Sequence, residues 1–289
     1  MQSGKLKQLG LFAITWPIFV EQVARILPGT INTVMLSHLG DAVVAGVTVA
    51  NQIVMFCIIL FSFIGIGCSV VLTHCLGARD MAGAQRIAVA AIAVNFWMGL
   101  IVSLLICGFA GPMLRLLDLP PGLLQYAQPF LALMGGTLFL EAINIAFASL
   151  LRAHGHTRDA MHVTLGANVL NIGLNCLLIF GLFGFPKMGV LGAALSTVIS
   201  RACATLVLAW MVQWRIGFHL RLDYLWRLSG DAVGRILHIG VPAAGENLSW
   251  WMSFMTITYL IGQMGEAALG VCAAETDVIH LGRVNVVTG

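Results

Sequence analysis

The sequence predicts an all-α integral membrane protein, a polytopic bundle of helices. Of its 289 residues, 59% are hydrophobic and 9% are charged, whereas about a quarter of the residues in a soluble domain are charged. Residues 42–73, 87–114 and 119–140 contain no Asp, Glu, Lys or Arg. Each run exceeds the roughly 20 apolar residues with which a helix crosses a bilayer. This composition excludes nucleic-acid-binding proteins, disordered chains and secreted disulfide scaffolds.

Turn residues divide the apolar sequence into seven predicted helices and the start of an eighth. The breaks at 38–41, 77–80 and 118–122 each contain Gly and Asp, which favour turns. The first apolar stretch is too long for the core of a signal peptide, so the first helix is expected to stay in the mature protein. The predicted helices are 9–37, 43–73, 82–117, 122–151, 160–185, 188–214 and 233–262, with a fragment from about residue 267.

Basic residues predict how the bundle is oriented in the membrane. If the N terminus is cytoplasmic, the loops on the opposite side hold only Arg115 and Lys187. Loops rich in Lys and Arg stay in the cytoplasm, so we expect a cytoplasmic N terminus and a location in the cytoplasmic (inner or plasma) membrane. The basic residues of the cytoplasmic segments are then Lys5, Lys7, Arg79, Arg86, Arg152, Arg158, Arg215, Arg221, Arg227 and Arg235.

The seventh predicted helix repeats the pattern of the first. Pro242 follows Pro17 by 225 positions, and Glu246 follows Glu21 by the same 225. Six helices separate the two copies, so both begin on the same side of the membrane, as in the parallel repeats of some secondary transporters. Two such halves need about 450 residues. We therefore predict a complete six-helix N-terminal bundle in residues 1–220, and one to two helices of a second bundle in 221–289.

The C-terminal segment is polar where the repeat requires an apolar eighth helix. Glu275, Asp277 and Arg283 fall in this segment, and a charge at mid-bilayer costs a few kcal/mol. The sequence therefore favours a truncated or frame-disrupted gene product. The alternative is an ordinary polar C-terminal tail.

Several blocks of sequence resemble the MATE (multidrug and toxic compound extrusion) transporters, in the right order over about residues 9–275. They are GTINTVMLSHLG at 29–40, HCLGARD at 74–80, LRAHGHT at 151–157, NIGLN at 171–175, PKMGVLGAA at 186–194 and GVP at 240–242. The resemblance implies two six-helix bundles that face each other across a central cleft. It also implies an antiporter that expels small organic compounds, often cationic, in exchange for Na+ or H+.

Glu21 is the first candidate for an ion-coupling residue, because ionisable groups inside a membrane are costly and therefore often functional. Pro17, Glu21 and Arg25 follow each other at intervals of four and form one stripe of a helix. Glu21 could bind the coupling cation or a proton, with Pro17 as a helix hinge and Arg25 at the cleft. Alternatively, Glu21 and Arg25 form a buried ion pair that locks the bundle.

Three further glutamates are candidates for ion coupling. Glu246 repeats Glu21, with Pro242 as the hinge, but Trp250 stands where the first copy has an arginine. A functional role is therefore favoured for Glu246, and the ring of Trp250 could face an organic cation. Glu275 could join Glu246 if the second bundle were complete. Glu141 could either face the cleft or form a structural hydrogen bond across helices.

Neutral polar residues occupy the positions at which some MATE members carry acids together with amides. The positions that match are Asn32, Asn171, Asn175 and Thr197. An amide can bind a cation or a substrate, but it cannot release a proton. This departure from the pattern argues against proton coupling at these positions and leaves Glu21 as the candidate in the N-terminal bundle. Alternatively, the amides join the helices to each other.

The sequence therefore predicts a cation-coupled efflux antiporter and not an enzyme. Its partners would be small organic substrates and the lipid bilayer, with no cofactor beyond the coupling Na+ or H+, no metal and no nucleic acid. An enzyme is disfavoured because neither HExxH nor GxSxG occurs. One alternative is a half-length protein that acts only with a second membrane chain, or not at all. Another is a flippase for lipid-linked substrates. Its substrates would need more basic residues inside the helices than the two that the sequence offers, Arg25 and Arg201.

Overall fold

The computed structural model describes residues 11–116, 120–181, 186–217 and 230–262. Within these ranges the chain forms helices and no strand, which confirms the predicted all-α fold class. A π-helical turn, Val212–Ile216, extends the seventh helix. The helices are α1 (Leu11–Ser37), α2 (Asp41–Gly77), α3 (Met81–Leu116), α4 (Pro121–Gly136), α5 (Leu138–Ala153), α6 (Thr157–Phe180), α7 (Val190–Met211) and α8 (Gly230–Gly262).

Four of the described segments are long and apolar enough to cross a membrane: α2, α3, α6, and α7 with its π-helical turn. The pair α4 and α5 adds a fifth if it counts as one bent span. Helices α1 and α8, of 27 and 33 residues, are not among these segments. The chain is therefore an integral membrane protein.

The fourth predicted helix, 122–151, is wrong as a single element, because it divides at Thr137 into α4 and α5 with a bend of 44°. The Thr137 hydroxyl donates to carbonyl oxygens of the preceding turn at 3.1 Å. The backbone N–H of Phe139 donates to the Ser103 hydroxyl of α3 at 3.0 Å. A side chain from another helix thus satisfies a backbone donor at the break. In an apolar environment every backbone polar group needs such a partner within the protein.

Small side chains bring α6 and α7 close together. Gly192, Ala193 and Ser196 of α7 are buried, and a Cβ atom at Gly192 would lie 2.7 Å from the carbonyl oxygen of Leu178 in α6. Because lipid provides no hydrophobic drive between helices, such close backbone contacts are a main source of association. This contact fixes the two helices that carry most of the site described below.

We expect Gly192→Ala to destabilise the protein by about 1–3 kcal/mol, because the obstructing atom is backbone and cannot move aside cheaply. Unfolding of the purified protein in SDS titrations measures the effect. Gly173→Ala, on α6, is the control, since a Cβ atom there meets nothing within 4 Å. Equal stability of the two variants would contradict the proposed close contact.

Helix α8 packs against α2. Its Ala232 and Ile236 are buried in the same cluster as Cys68 and Leu72 of α2. A Cβ atom on Gly67 would lie 2.3 Å from the carbonyl oxygen of Ile236, so the two backbones touch. The seventh predicted helix is thereby held against α2.

Candidate functional site

A cavity of about 200 Å³ lies between α1, α5, α6 and α7. Its lining includes Asn32 from α1, Glu141 and Asn144 from α5, Asn171 from α6 and Arg201 from α7. These residues come from widely separated parts of the sequence, and the helix pairs α1–α6, α5–α7 and α6–α7 bring them together. The cavity combines polar and charged groups with aliphatic ones, inside a bundle whose helices are otherwise apolar.

Hydrogen bonds join the amides that the sequence singled out. The Asn175 side-chain nitrogen donates to Oδ1 of Asn32 on α1 and, at 3.1 Å, to Oδ1 of Asn171 one turn earlier on α6. The nitrogen of Asn171 donates to the Thr197 hydroxyl of α7 at 3.1 Å. The Ser196 hydroxyl donates to Oδ1 of Asn175. The structure thus brings Asn32, Asn171, Asn175 and Thr197 into one network, while their functional role stays a prediction.

This network is neutral, and its centre is well satisfied. Asn175 is completely buried and Asn171 is 4% exposed. The Thr197 hydroxyl, which accepts from Asn171, donates in turn to the Ala193 carbonyl at 2.9 Å. Fully satisfied polar networks in a low-dielectric interior are rigid. The arrangement joins α1, α6 and α7, as the helix-joining interpretation of these amides expects, and it also presents amide groups to the cavity.

An ion pair crosses the cavity wall between α5 and α7. Nε of Arg201 lies 3.1 Å from Oε2 of Glu141, and the two side chains are 13% and 18% exposed. The Asn144 side-chain nitrogen donates to the Arg201 carbonyl oxygen at 3.4 Å. Glu141 therefore lines the cavity and pairs across helices, while its functional role stays a prediction.

The same part of the wall carries two buried polar atoms that lack a hydrogen-bond partner among the described residues. They are Nη1 of Arg201 and Oδ1 of Asn144. Nearly all buried polar atoms in proteins are hydrogen-bonded, and leaving one unsatisfied costs about 1–3 kcal/mol. Neither atom is accessible to a water molecule, so both lie inside the wall and neither faces the cavity.

Arg201 and Asn144 were not selected as site residues by sequence reasoning. A signal was present, since Arg201 and Glu141 are isolated charges of opposite sign inside apolar helices, and such charges usually pair. Their sequence separation concealed the pairing. Asn144 follows Glu141 by three positions and therefore lies on the same face of α5.

Other predicted site residues lie outside this cavity or outside the described side chains. Pro17, Glu21 and Arg25 are on α1, where their side chains are not described, and Glu21 is about 16 Å from Asn32 along the helix axis. Pro242 and Glu246 are exposed on α8. The Trp250 side chain and all of Glu275 lie outside the described part of the chain.

Apolar helices of membrane-spanning length around a cavity with polar and charged residues in its lining are typical of membrane transport proteins. The family model MatE matches residues 17–177, and the chain belongs to this transporter family. The resemblance in the sequence blocks is thereby confirmed.

Curated relatives and solved structures agree with this assignment. The chain is 39% identical over 263 residues to "Uncharacterized transporter YisQ" of Bacillus subtilis, covering 91% of this chain and 58% of that protein. It is 28% identical over 241 residues to "Probable multidrug resistance protein NorM" of Thermotoga maritima, covering 82% of this chain and 51% of that protein. The crystal structure of a MATE protein in complex with MaD5 superposes with a TM-score of 0.84 at 22% identity, covering 95% of this chain and 62% of the other. The chain thus spans about half to three fifths of the length of these proteins.

Proposed function

We propose that this protein is a cation-coupled antiporter that exports small organic compounds by alternating access. Its membership of the MatE family supports this function, as does the naming of relatives as probable multidrug resistance proteins. The observation that carries the proposal is the polar cavity between α1, α5, α6 and α7. Binding of Na+ or H+ would favour the conformation that releases the compound, because a ligand shifts an equilibrium only through its differential affinity for the two states.

Glu21 and Glu246 are the proposed coupling carboxylates. Glu141 pairs with Arg201 at 3.1 Å, whereas Glu21 and Glu246 occupy equivalent positions of the sequence repeat. The amides of the neutral network can bind a cation but cannot release a proton. We therefore place the coupling ion at the repeated glutamates of α1 and α8, and the organic compound in the cavity.

The membrane arrangement is part of the same proposal. The N terminus would face the cytoplasm, residues 1–220 would form the N-terminal bundle, and residues 221–289 would begin the second. Lys187 and Arg158 are exposed and follow opposite ends of predicted spans. In intact cells, Lys187→Cys should react with a membrane-impermeant thiol reagent, and Arg158→Cys should react only after permeabilisation. The reverse pattern would refute this orientation.

Transport in proteoliposomes tests the proposed function. Vesicles that contain the product of this gene are loaded with ethidium, and Na+ or acid is then added outside. We expect one of the two additions to accelerate ethidium efflux, and the Glu21→Gln/Glu246→Gln double variant to lose at least about 90% of that acceleration, because the coupling ion then lacks its carboxylates.

Asp231→Asn is the matched control, since it neutralises a carboxylate of α8 whose side chain is 89% exposed. This variant should keep the acceleration by the ion gradient. An efflux rate that changes with neither the Na+ gradient nor the pH gradient would refute the antiport function. An unchanged double variant would refute only the assignment of the coupling residues.

A further inference from the structure

Helix α1 contains a proline in its interior, Pro28, which leaves one backbone carbonyl without its usual partner. In an α-helix the backbone N–H of each residue donates to the carbonyl oxygen four positions earlier, and proline has no N–H. The carbonyl of Ala24 therefore lacks its intrahelical donor. Ala24 is only 1% exposed, and a buried backbone group without a partner is costly inside a membrane.

A side chain of α6 supplies the missing donor. The Asn168 side-chain nitrogen, Nδ2, donates to the carbonyl oxygen of Ala24. Prolines are tolerated in membrane-spanning helices where neighbouring helices satisfy the backbone groups that the proline releases. Helix α1 accordingly continues through Pro28 as one element, Leu11–Ser37. The amide of Asn168 thus meets the carbonyl that Pro28 leaves without a helical donor.

A second amide that bonds to the backbone of another helix shows the contrast. Asn144 of α5 donates to the Arg201 carbonyl of α7 at 3.4 Å. The residue four positions after Arg201 is Thr205, which lies inside α7 and has a backbone N–H to donate to the same oxygen. The bond from Asn144 therefore adds to a helical bond, whereas the bond from Asn168 replaces one.

The position of this hydrogen bond connects two parts of the proposed transport site. Ala24 follows Glu21 by three positions, which is less than one turn of a helix. Asn168 also lines the cavity between α1, α5, α6 and α7. The bond therefore fixes the backbone of the α1 turn that carries Glu21 against the wall of the cavity.

We propose that Asn168 is a positioning residue, whose amide replaces the donor missing at Pro28 and thereby holds the Glu21 turn of α1 at the cavity wall. The replacement of the donor stands on the hydrogen bond and on the chemistry of proline. That the position of this turn matters for ion coupling rests on the proposed antiport function.

A double-mutant cycle tests the replacement of the donor, with thermal unfolding of the purified protein in detergent as the measurement. Asn168→Leu should lower the Tm by about 3 °C or more, because the buried Ala24 carbonyl loses its donor. In the Pro28→Ala background, residue 28 regains a backbone N–H that can donate to this carbonyl. The same Asn168→Leu substitution should then lower the Tm by less than half as much.

Two controls separate this effect from general changes in stability. Asn144→Leu should lower the Tm equally with and without Pro28→Ala, since its acceptor carbonyl has a helical donor. Pro129→Ala, which replaces a proline inside α4, should leave the effect of Asn168→Leu unchanged. Equal losses for Asn168→Leu in the parent protein and in the Pro28→Ala background would overturn the proposal. If Asn168→Leu yields no folded protein, Asn168→Ala is judged by the same comparison.

Ethidium efflux from proteoliposomes with equal amounts of folded protein tests the consequence for coupling. Asn168→Leu should raise the ion concentration that gives half-maximal acceleration at least about fivefold. The Pro28→Ala/Asn168→Leu variant should lie within about twofold of Pro28→Ala. An unchanged half-maximal concentration in Asn168→Leu would overturn the positioning role, because a merely structural residue changes only the amount of folded protein.

The two proposals fail in different ways. If neither ion accelerates efflux by the parent protein, the antiport function is refuted, and the melting temperatures alone then decide whether Asn168 replaces the donor missing at Pro28. If an ion accelerates efflux but the effect of Asn168→Leu does not depend on residue 28, the antiport function stands and the role proposed for Asn168 is wrong.

Discussion

Arg201→Gln is expected to destabilise the protein by about 3–5 kcal/mol, because it leaves the mostly buried carboxylate of Glu141 without its counter-ion. The stability of the Glu141→Gln/Arg201→Gln double variant should be much closer to that of the parent protein, since removal of both charges also removes both desolvation penalties. Denaturant unfolding of the purified protein measures both effects. A non-additive pair of this kind is diagnostic of a direct interaction.

Arg235→Gln provides the control for the single variant. Nη2 of Arg235 lies 3.8 Å from Oδ2 of Asp231, but the two side chains are 62% and 89% exposed. Exposed pairs contribute at most about 1 kcal/mol, so this variant should be only slightly destabilised. If Arg201→Gln and Arg235→Gln had equal effects, the partial burial of the Glu141–Arg201 pair would add nothing to its contribution to stability.

Asn175→Leu is expected to destabilise the protein by about 2–4 kcal/mol, because it removes the central amide of the network that joins α1, α6 and α7. The side chains of Asn32, Asn171 and Ser196 would each lose a partner, and a buried polar group without one costs about 1–3 kcal/mol. Thermal unfolding in detergent measures the loss.

Gln125→Leu is the control for the loss of an amide. Gln125 is exposed, and its side chain donates a local hydrogen bond to the Gly122 carbonyl at 3.1 Å. The free energy of unfolding should therefore change by no more than about 0.5 kcal/mol. An Asn175→Leu variant as stable as this control would show that the network does not hold the helices together.

The positions of most helices could be predicted from the sequence, because apolar runs of membrane-spanning length between turn residues leave few alternatives. The division at Thr137 was not predicted. Gly135 and Gly136 directly precede it and are a local turn signal, but they lie inside a run without charged residues that is long enough for one span. The Ser103 hydroxyl, which accepts the Phe139 N–H at the break, lies on another helix, and such a contact is invisible to local periodicity.

The candidate site was only partly predictable, because the sequence does not show which helices pack against each other. Asn171 and Asn175 are four positions apart, so their shared helix face follows from the sequence, and the resemblance to MATE transporters added Asn32 and Thr197. The Glu141–Arg201 pair needed the packing of α5 against α7. The coupling role of Glu21 and Glu246 stays a prediction, since the described side chains do not bear on it.

We propose that the cavity between α1, α5, α6 and α7 holds the exported compound. Ala167 lines this cavity, so Ala167→Phe would place a phenyl ring in it. Val169, on the same helix, is 71% exposed, and Val169→Phe adds a ring outside the cavity. Gradient-driven efflux from proteoliposomes with equal amounts of folded protein should fall at least about tenfold for Ala167→Phe and remain unchanged for Val169→Phe. Full efflux with Ala167→Phe would contradict the claim.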